Sequence, residues 1–423
     1  MKRLNLLVSA YACNPLATEE SYPGEAILGW NLIKQLNRFH NVSVLTRTYN
    51  RTGIEEAVER EKIGDVRFYY LNLPRFLSVI KRNFLGFSLY YLLWQVKAFF
   101  IVRKIHKKNQ YDLFHHITFN NDWMPSFIGA YLPLPFIWGP MGGGQKVPRS
   151  FKKTIHWKNR INQNLRLVGQ WFWRNTWFRR RCVKKALAIL VCNTDTKVKI
   201  KTDAKKLFFY PVNGISSEEL SPPLRSHGEK SPQFRVVYAG RLDAIKGINL
   251  GIEAFHVFSQ EFPKSFFKII GVGPERERLV SLTKSLDIQD KVEFIPWLER
   301  KKLLEQMRLS DVLLFPSFRD GGGQVIIEAM TCGKPVIGIN VGGPGFHIQN
   351  EWGIKIEPKN PEYTIQEMAE ALKTLYLNRE LREKMGEAGF RRAEEFYLWD
   401  RLGDQLQRIY QEVLPDELKK TNS

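Results

Sequence analysis

Short, continuously apolar runs separated by stretches of helical periodicity recur twice along this chain, and that pattern constrains the fold more than any other feature. In the first half the runs are Leu4–Tyr11, Val42–Thr48, Val66–Leu73, Asp112–Thr118, Pro135–Pro140 and Leu187–Asn193, with helical stretches at Ala26–Phe39 and Phe84–Lys108. In the second half the strand-like runs Phe234–Ala239, Phe266–Gly273, Val292–Leu298, Asp311–Ser317 and Pro335–Asn340 alternate with helical segments at Ile248–Phe262, Glu275–Leu286, Arg300–Leu309 and Val325–Cys332. A strand that is apolar on both faces belongs inside a parallel sheet covered by helices on either side. Two such series predict an α/β protein of two Rossmann-like, doubly wound parallel-sheet domains. The segment Phe209–Pro232, rich in Pro, Ser and Gly and without periodicity, reads as the junction. The expected division is residues 1–212, then 213–395, with the chain from about 396 to 423 returning to the first domain. In open sheets of this kind ligands sit beyond the carboxyl ends of the strands, so two domains can face each other across one central cleft.

Charge is distributed unevenly between the halves. Residues 1–211 hold 35 Lys and Arg against 12 Asp and Glu, whereas the remainder is close to neutral with 29 against 31. Lys146–Lys185 contains thirteen basic residues and no acid, interleaved with Trp157, Trp171, Phe172, Trp173, Trp177 and Phe178. Basic residues with interfacial aromatics suit an anionic membrane surface; a solvated basic surface over core aromatics is the plainer alternative. No nucleic-acid-binding module is visible, so nucleic acid is not an expected partner. Phe84–Lys108 is interrupted by Lys97, Arg103 and Lys104 and does not read as a membrane span; it either lies in an interface or packs on the sheet. The four cysteines form no C-x-x-C pair, which fits free thiols in a reducing compartment and a cytoplasmic protein.

Three loops after strands carry candidate chemistry. Ala239–Ile248 (AGRLDAIKGI) places Arg241 and Lys246 at a strand end, where a fork of donors and a mobile point charge suit a diphosphate. Phe315–Ile337 (FPSFRDGGGQVIIEAMTCGKPVI) runs from a strand through Gly321, Gly322 and Gly323 into a helix, an anion-binding arrangement of close backbone approach and unpaired N–H groups. Asp320 and Glu328 bracket it. An acid beside a phosphate site finds its use in hydroxyls, and hydroxyls on both sides of a diphosphate describe a nucleotide-sugar. In the first half, Trp138–Pro148, with Gly142 and Gly143, and Ser21–Leu32, with Gly24 and Glu25, are further cleft linings. His115 and His116 sit at a strand end, where alternation allows at most one to face a ligand. No Asp-x-Asp motif is present, so no metal and no separate cofactor are expected. No Gly-x-Gly-x-x-Gly follows the first strand, which disfavours a nicotinamide dinucleotide.

Together GRLDAIKGI and PSFRDGGGQVIIEAMTCGKPVIGINVGG resemble the retaining GT-B glycosyltransferases of family 4, the group 1 glycosyltransferases. The resemblance implies that Arg241 and Lys246 hold the donor diphosphate, with backbone donors around Gly322, Gly323 and Gln324. It implies that Asp320, in place of the family's Glu, meets the transferred sugar and that Glu328 meets ribose. His115 matches a strand-end histidine near the reacting sugar, with His116 as its neighbour in reserve on the acceptor side beside Gly142 and Gly143. GEAILGW is similar to a family loop, matching at Glu25, Gly29 and Trp30, with Ile27 where the family has glycine. Phe396–Leu414 looks like the family's helix crossing back to the N-terminal domain. The implied function is retaining sugar transfer from a nucleotide-sugar to a glycan or lipid-linked acceptor, in surface polysaccharide or glycolipid synthesis, by an enzyme in the cytoplasm or on the inner membrane face. Competing readings are a nucleotide-sugar epimerase of the same fold and a polyanion-binding module without catalysis.

Overall fold

The computed structural model describes residues 2–16, 23–82, 84–119, 121–154, 157–220 and 233–419. Part of the expected junction, residues 221–232, lies outside these, as do residues 21–22 of the first-half loop and the last four residues of the returning segment.

Among the described residues thirteen strands form two sheets. β1 (Asn5–Ser9), β2 (Asn41–Thr46), β3 (Arg67–Tyr70), β4 (Leu113–His116), β5 (Phe136–Met141), β6 (Ala188–Val191) and β7 (Leu207–Phe209) lie in the order β3-β2-β1-β4-β5-β6-β7. β8 (Phe234–Ala239), β9 (Ser265–Ile270), β10 (Val292–Ile295), β11 (Val312–Phe315), β12 (Val336–Ile339) and β13 (Gly353–Ile356) lie in the order β10-β9-β8-β11-β12-β13. Every pairing is parallel. The central strands are apolar on both faces because helices cover both: Leu6, Leu7 and Val8 in β1 and Leu313 and Leu314 in β11 are fully buried. Each sheet is thus a doubly wound α/β unit, as the sequence pattern predicts. The edge strands β7 and β13 were not anticipated; they are three and four residues long.

The long helix Phe84–Asn109 packs on the first sheet rather than standing off it, burying Tyr90, Tyr91, Trp94, Ala98 and Val102 in one core cluster with β4 and β5. Leu89 and Phe100 remain exposed.

The chain passes between the units twice, side by side. Ile215 N donates to Tyr397 O at 2.9 Å, and Trp399 N donates back to Ile215 O at 3.0 Å. After this crossing the helix Trp399–Val413 lies on the N-terminal helix Pro23–Phe39. Its inward residues Leu402, Leu406, Ile409 and Tyr410 join the core of the first unit. Gln35 Nε2 reaches Asp400 Oδ1 at 3.0 Å, and Arg38 pairs with Asp404 at 3.1 Å. This helix therefore packs with the first sheet although it follows the second.

Candidate active site

The carboxyl ends of the two sheets border a common cleft of about 300 Å³, lined by Gly24, Glu25, Asn121, Gly142 and Gly143 from the first unit and by Arg319, Gly321 and Gly322 from the second. Arg166 and Asn213 also line it. The glycine loop of the second unit touches the first directly, with Asn193 Nδ2 donating to Gly321 O at 3.0 Å, and at the helix start after β12 Gly342 N donates to Asp195 Oδ2 at 2.7 Å.

Lys246 Nζ lies 2.5 Å from Asp320 Oδ2, with both side chains largely buried. The loops that carry them meet because of Gly247, whose φ of 62° suits glycine and whose added Cβ would stand 2.2 Å from Pro316 O. Asp320 Oδ1 accepts from Gly322 N at 3.1 Å and from Gly323 N at 2.6 Å. Burial alone would raise the Asp320 pKa; the Lys246 charge and hydrogen bond, with the two amides, outweigh it and hold the carboxyl below the usual carboxylate value. This corrects one sequence expectation. The amides of Gly322 and Gly323, at the start of the helix Gln324–Thr331, are engaged by Asp320 itself and not left open to an external anion. One lone-pair direction of Oδ2 and two of the three Lys246 donors remain.

Glu328 sits on that helix, 3% exposed. Its Oε1 accepts from Arg300 Nη1, and Arg300 Nε also binds Glu219. The two carboxylates, against the opposing effect of burial, raise the guanidinium pKa further. Glu328 Oε2 is buried and has no partner among the described residues. Neither Arg300 nor Glu219 was singled out from sequence. Each is a solitary charge on a distant segment, and only the fold brings them to Glu328.

Arg241 extends along the surface, 70% exposed, with Nε 3.0 Å from Asp243 Oδ2; like Lys246, Asp320 and Glu328, it stands beside the cleft and is not among the residues that line it. Gln324 opens the helix behind the glycines. Glu25 faces the cleft while its Oε2 accepts from Phe119 N at 3.0 Å; burial raises its carboxyl pKa despite that bond.

The two histidines do not reach the cleft, which corrects their expected roles. β4 is an interior strand, and both its faces are packed. His115 Nε2 donates to Gly139 O at 2.8 Å, which leaves Nδ1 to accept from Tyr410 Oη at 2.7 Å. His116 is held by Ser126 Oγ at 2.8 Å, Thr118 O at 3.1 Å and Tyr91 Oη at 2.9 Å. Burial pulls the two imidazoles down to about 3 and about 4, so both stay neutral. They are hydrogen-bonding posts of the core; His115 ties β4 to the returning helix.

The parallel α/β units meeting at one cleft define the GT-B fold. Residues 224–392, which carry Lys246, Asp320 and Glu328, match the family profile described as Glycosyl transferases group 1, and this segment is a group 1 glycosyltransferase domain. Across 88% of its length the chain is 26% identical to an uncharacterized glycosyltransferase of Methanocaldococcus jannaschii, covering 89% of that protein. It is 27% identical to the alpha-D-kanosaminyltransferase of Streptomyces kanamyceticus over 56% of this chain and 63% of that protein. For further curated relatives the chain covers between 50% and 61% of their length. The crystal structure of Anabaena HepE in complex with UDP superposes with a TM-score of 0.63 at 16% identity, covering 96% of this chain and 100% of that one.

If His115 is a post and not a participant in chemistry, His115→Ala leaves Gly139 O and Tyr410 Oη unpaired beside a cavity. The expected loss is about 3 kcal/mol of stability in urea unfolding, with turnover per folded molecule within about threefold of wild type, a change of about 0.7 kcal/mol in barrier.

Proposed function

We propose that this chain transfers a sugar, with retention of anomeric configuration, from a nucleoside-diphosphate sugar to a glycan or lipid-linked acceptor. The reading rests on the buried oxygen Glu328 Oε2. A desolvated carboxylate oxygen without a partner is costly unless a hydroxyl pair completes it, and a ribose diol has that chemistry. From there a nucleotide-sugar can run past Lys246 to Asp320, whose remaining lone pair suits a hydroxyl of the transferred sugar. Arg241 reaches the diphosphate by exchanging Asp243 for it. HepE is described in complex with UDP, which favours the same class of donor.

In this mechanism negative charge grows on the leaving diphosphate and is met by the two open Lys246 donors and by Arg241. These cations suffice in the proposal without a metal. The diphosphate oxygen takes the acceptor hydroxyl proton on the same face, so no pair of carboxylates flanking the scissile bond is required, unlike a retaining hydrolase.

The acceptor side faces a surface suited to anionic lipid. Leu165, Val168, Trp171 and Phe172 on the helix Trp157–Asn175 are exposed, as are Trp177 and Phe178 on the next helix, amid the basic residues of this segment. No helix among the described residues is long and apolar enough to cross a membrane. Peripheral attachment to an anionic inner membrane face, and a role in surface polysaccharide or glycolipid synthesis, follow from this reading.

Thermal-shift measurements against UDP-, GDP- and ADP-sugars test the donor step. One nucleotide series raises the melting temperature of wild type, and Glu328→Ala loses most of that rise; no response to any series contradicts the proposal. Sedimentation with vesicles containing phosphatidylglycerol is expected to carry the protein down, and neutral phosphatidylcholine vesicles are not. Equal recovery from both removes the membrane reading.

A further inference from the structure

Two guanidinium groups in the cleft have no carboxylate of their own. Arg166, on the helix Trp157–Asn175 of the first unit, and Arg319, on the loop after β11 of the second, both line it. Arg319 Nη1 donates to Gln163 Oε1 and is thereby held against that helix. Burial, and next the charge of Arg166, pull Arg319 down to about 10. The acids whose fields reach this pair are committed elsewhere. Asp122 grips Arg174 through both oxygens, at 2.6 and 3.0 Å, and Asp243 holds Arg241. Among the described residues neither Arg166 nor Arg319 has an ion-pair partner.

The positive charge continues along the same helix. Arg166 shares a small cavity with Lys146 and Lys152. Lys146 in turn opens onto a surface groove of about 870 Å³, where Arg174, Arg180, Lys184, Lys199 and Lys201 surround Leu167 and Trp171. Burial, and then Lys199, Arg174 and Arg149, lower the Lys146 amine against the smaller opposing field of Asp122, which is itself bound to Arg174. A run of like charges from the exposed aromatic surface to the cleft is unfavourable until an anion lies along it, and it draws such a ligand inward.

We propose that this row is the acceptor track, and that the acceptor is a phosphorylated saccharide whose phosphate or diphosphate is held between Lys146 and the Arg166–Arg319 pair while its receiving sugar enters the cleft. The inference deepens the transferase reading and depends on it, because it names the acceptor chemistry of the same cleft. Lys246 and Glu328 serve the donor; Arg166, Arg319 and Lys146 serve the acceptor.

The test is calorimetric titration of inorganic pyrophosphate into protein saturated with the nucleoside diphosphate it binds. Pyrophosphate is expected to bind, with affinity reduced at least tenfold in the double variant Arg166→Gln/Arg319→Gln and in Lys146→Gln/Lys199→Gln. Nucleotide affinity should stay within twofold of wild type, which also reports that the variants fold. Geranyl diphosphate distinguishes the source of the phosphate: tighter binding than pyrophosphate, abolished by Trp171→Ala, assigns a lipid carrier, and equal binding assigns a soluble phosphorylated sugar. Unchanged pyrophosphate affinity in both variants overturns the proposal. So does nucleotide affinity that falls together with it, since the guanidinium groups would then belong to the donor. Nucleotide binding without pyrophosphate binding overturns this inference alone. Wild type that binds no nucleotide overturns the transferase reading beneath it.

Discussion

The Lys246–Asp320 ion pair organises the second half of the cleft. At 2.5 Å and largely buried, it would be a poor arrangement in isolation, because desolvating two charges offsets most of their attraction. It holds because Asp320 has more than one partner. Its other oxygen takes the Gly322 and Gly323 amides, so one carboxylate fixes a lysine, a glycine turn and the start of a helix together. Removing either member strands the other charge, at about 3–5 kcal/mol for a buried pair. An acid at this position therefore shapes the loop, and in the proposed reaction its remaining lone pair is the one that meets the sugar.

This arrangement needs its surroundings to be rigid, and the topology supplies that. The loops after β8 and β11 issue from neighbouring strands of one sheet, so Arg241, Lys246 and Asp320 arise within a small area. The glycine loop is braced from the first unit by Asn193, while the chain crosses between units twice at Ile215 and at Tyr397–Trp399. The returning helix then locks onto Pro23–Phe39, the helix whose start carries Gly24 and Glu25. Cleft residues from both ends of the chain are thus held by one packed core.

Much of this was legible in the sequence. Continuous apolar runs announced interior parallel strands, and glycines after a strand announced the loop at Asp320, because both signals are local. The edge strands β7 and β13 were not readable; three or four residues that take one neighbour's pairing leave too short a pattern. The histidines were misread for a related reason. Alternation places one of two adjacent strand residues toward each face, but it does not say whether a face is cleft or core. That was decided by Tyr410, 295 positions from His115, and by Tyr91 beside His116. Arg300 and Glu219 became visible beside Glu328 only through long-range packing. Arg166 lay within a basic stretch legible as a charge excess, yet nothing local showed that this one arginine would meet Arg319 in the cleft.

The account stands on recognition of a diphosphate by Lys246. Calorimetry comparing a nucleoside diphosphate with its monophosphate measures this directly, in wild type and in Lys246→Met. Wild type is expected to favour the diphosphate by at least tenfold, about 1.4 kcal/mol, and the variant should lose most of that preference while still binding the monophosphate. A preference that survives intact in Lys246→Met would show that the diphosphate is held elsewhere and would contradict the site described here.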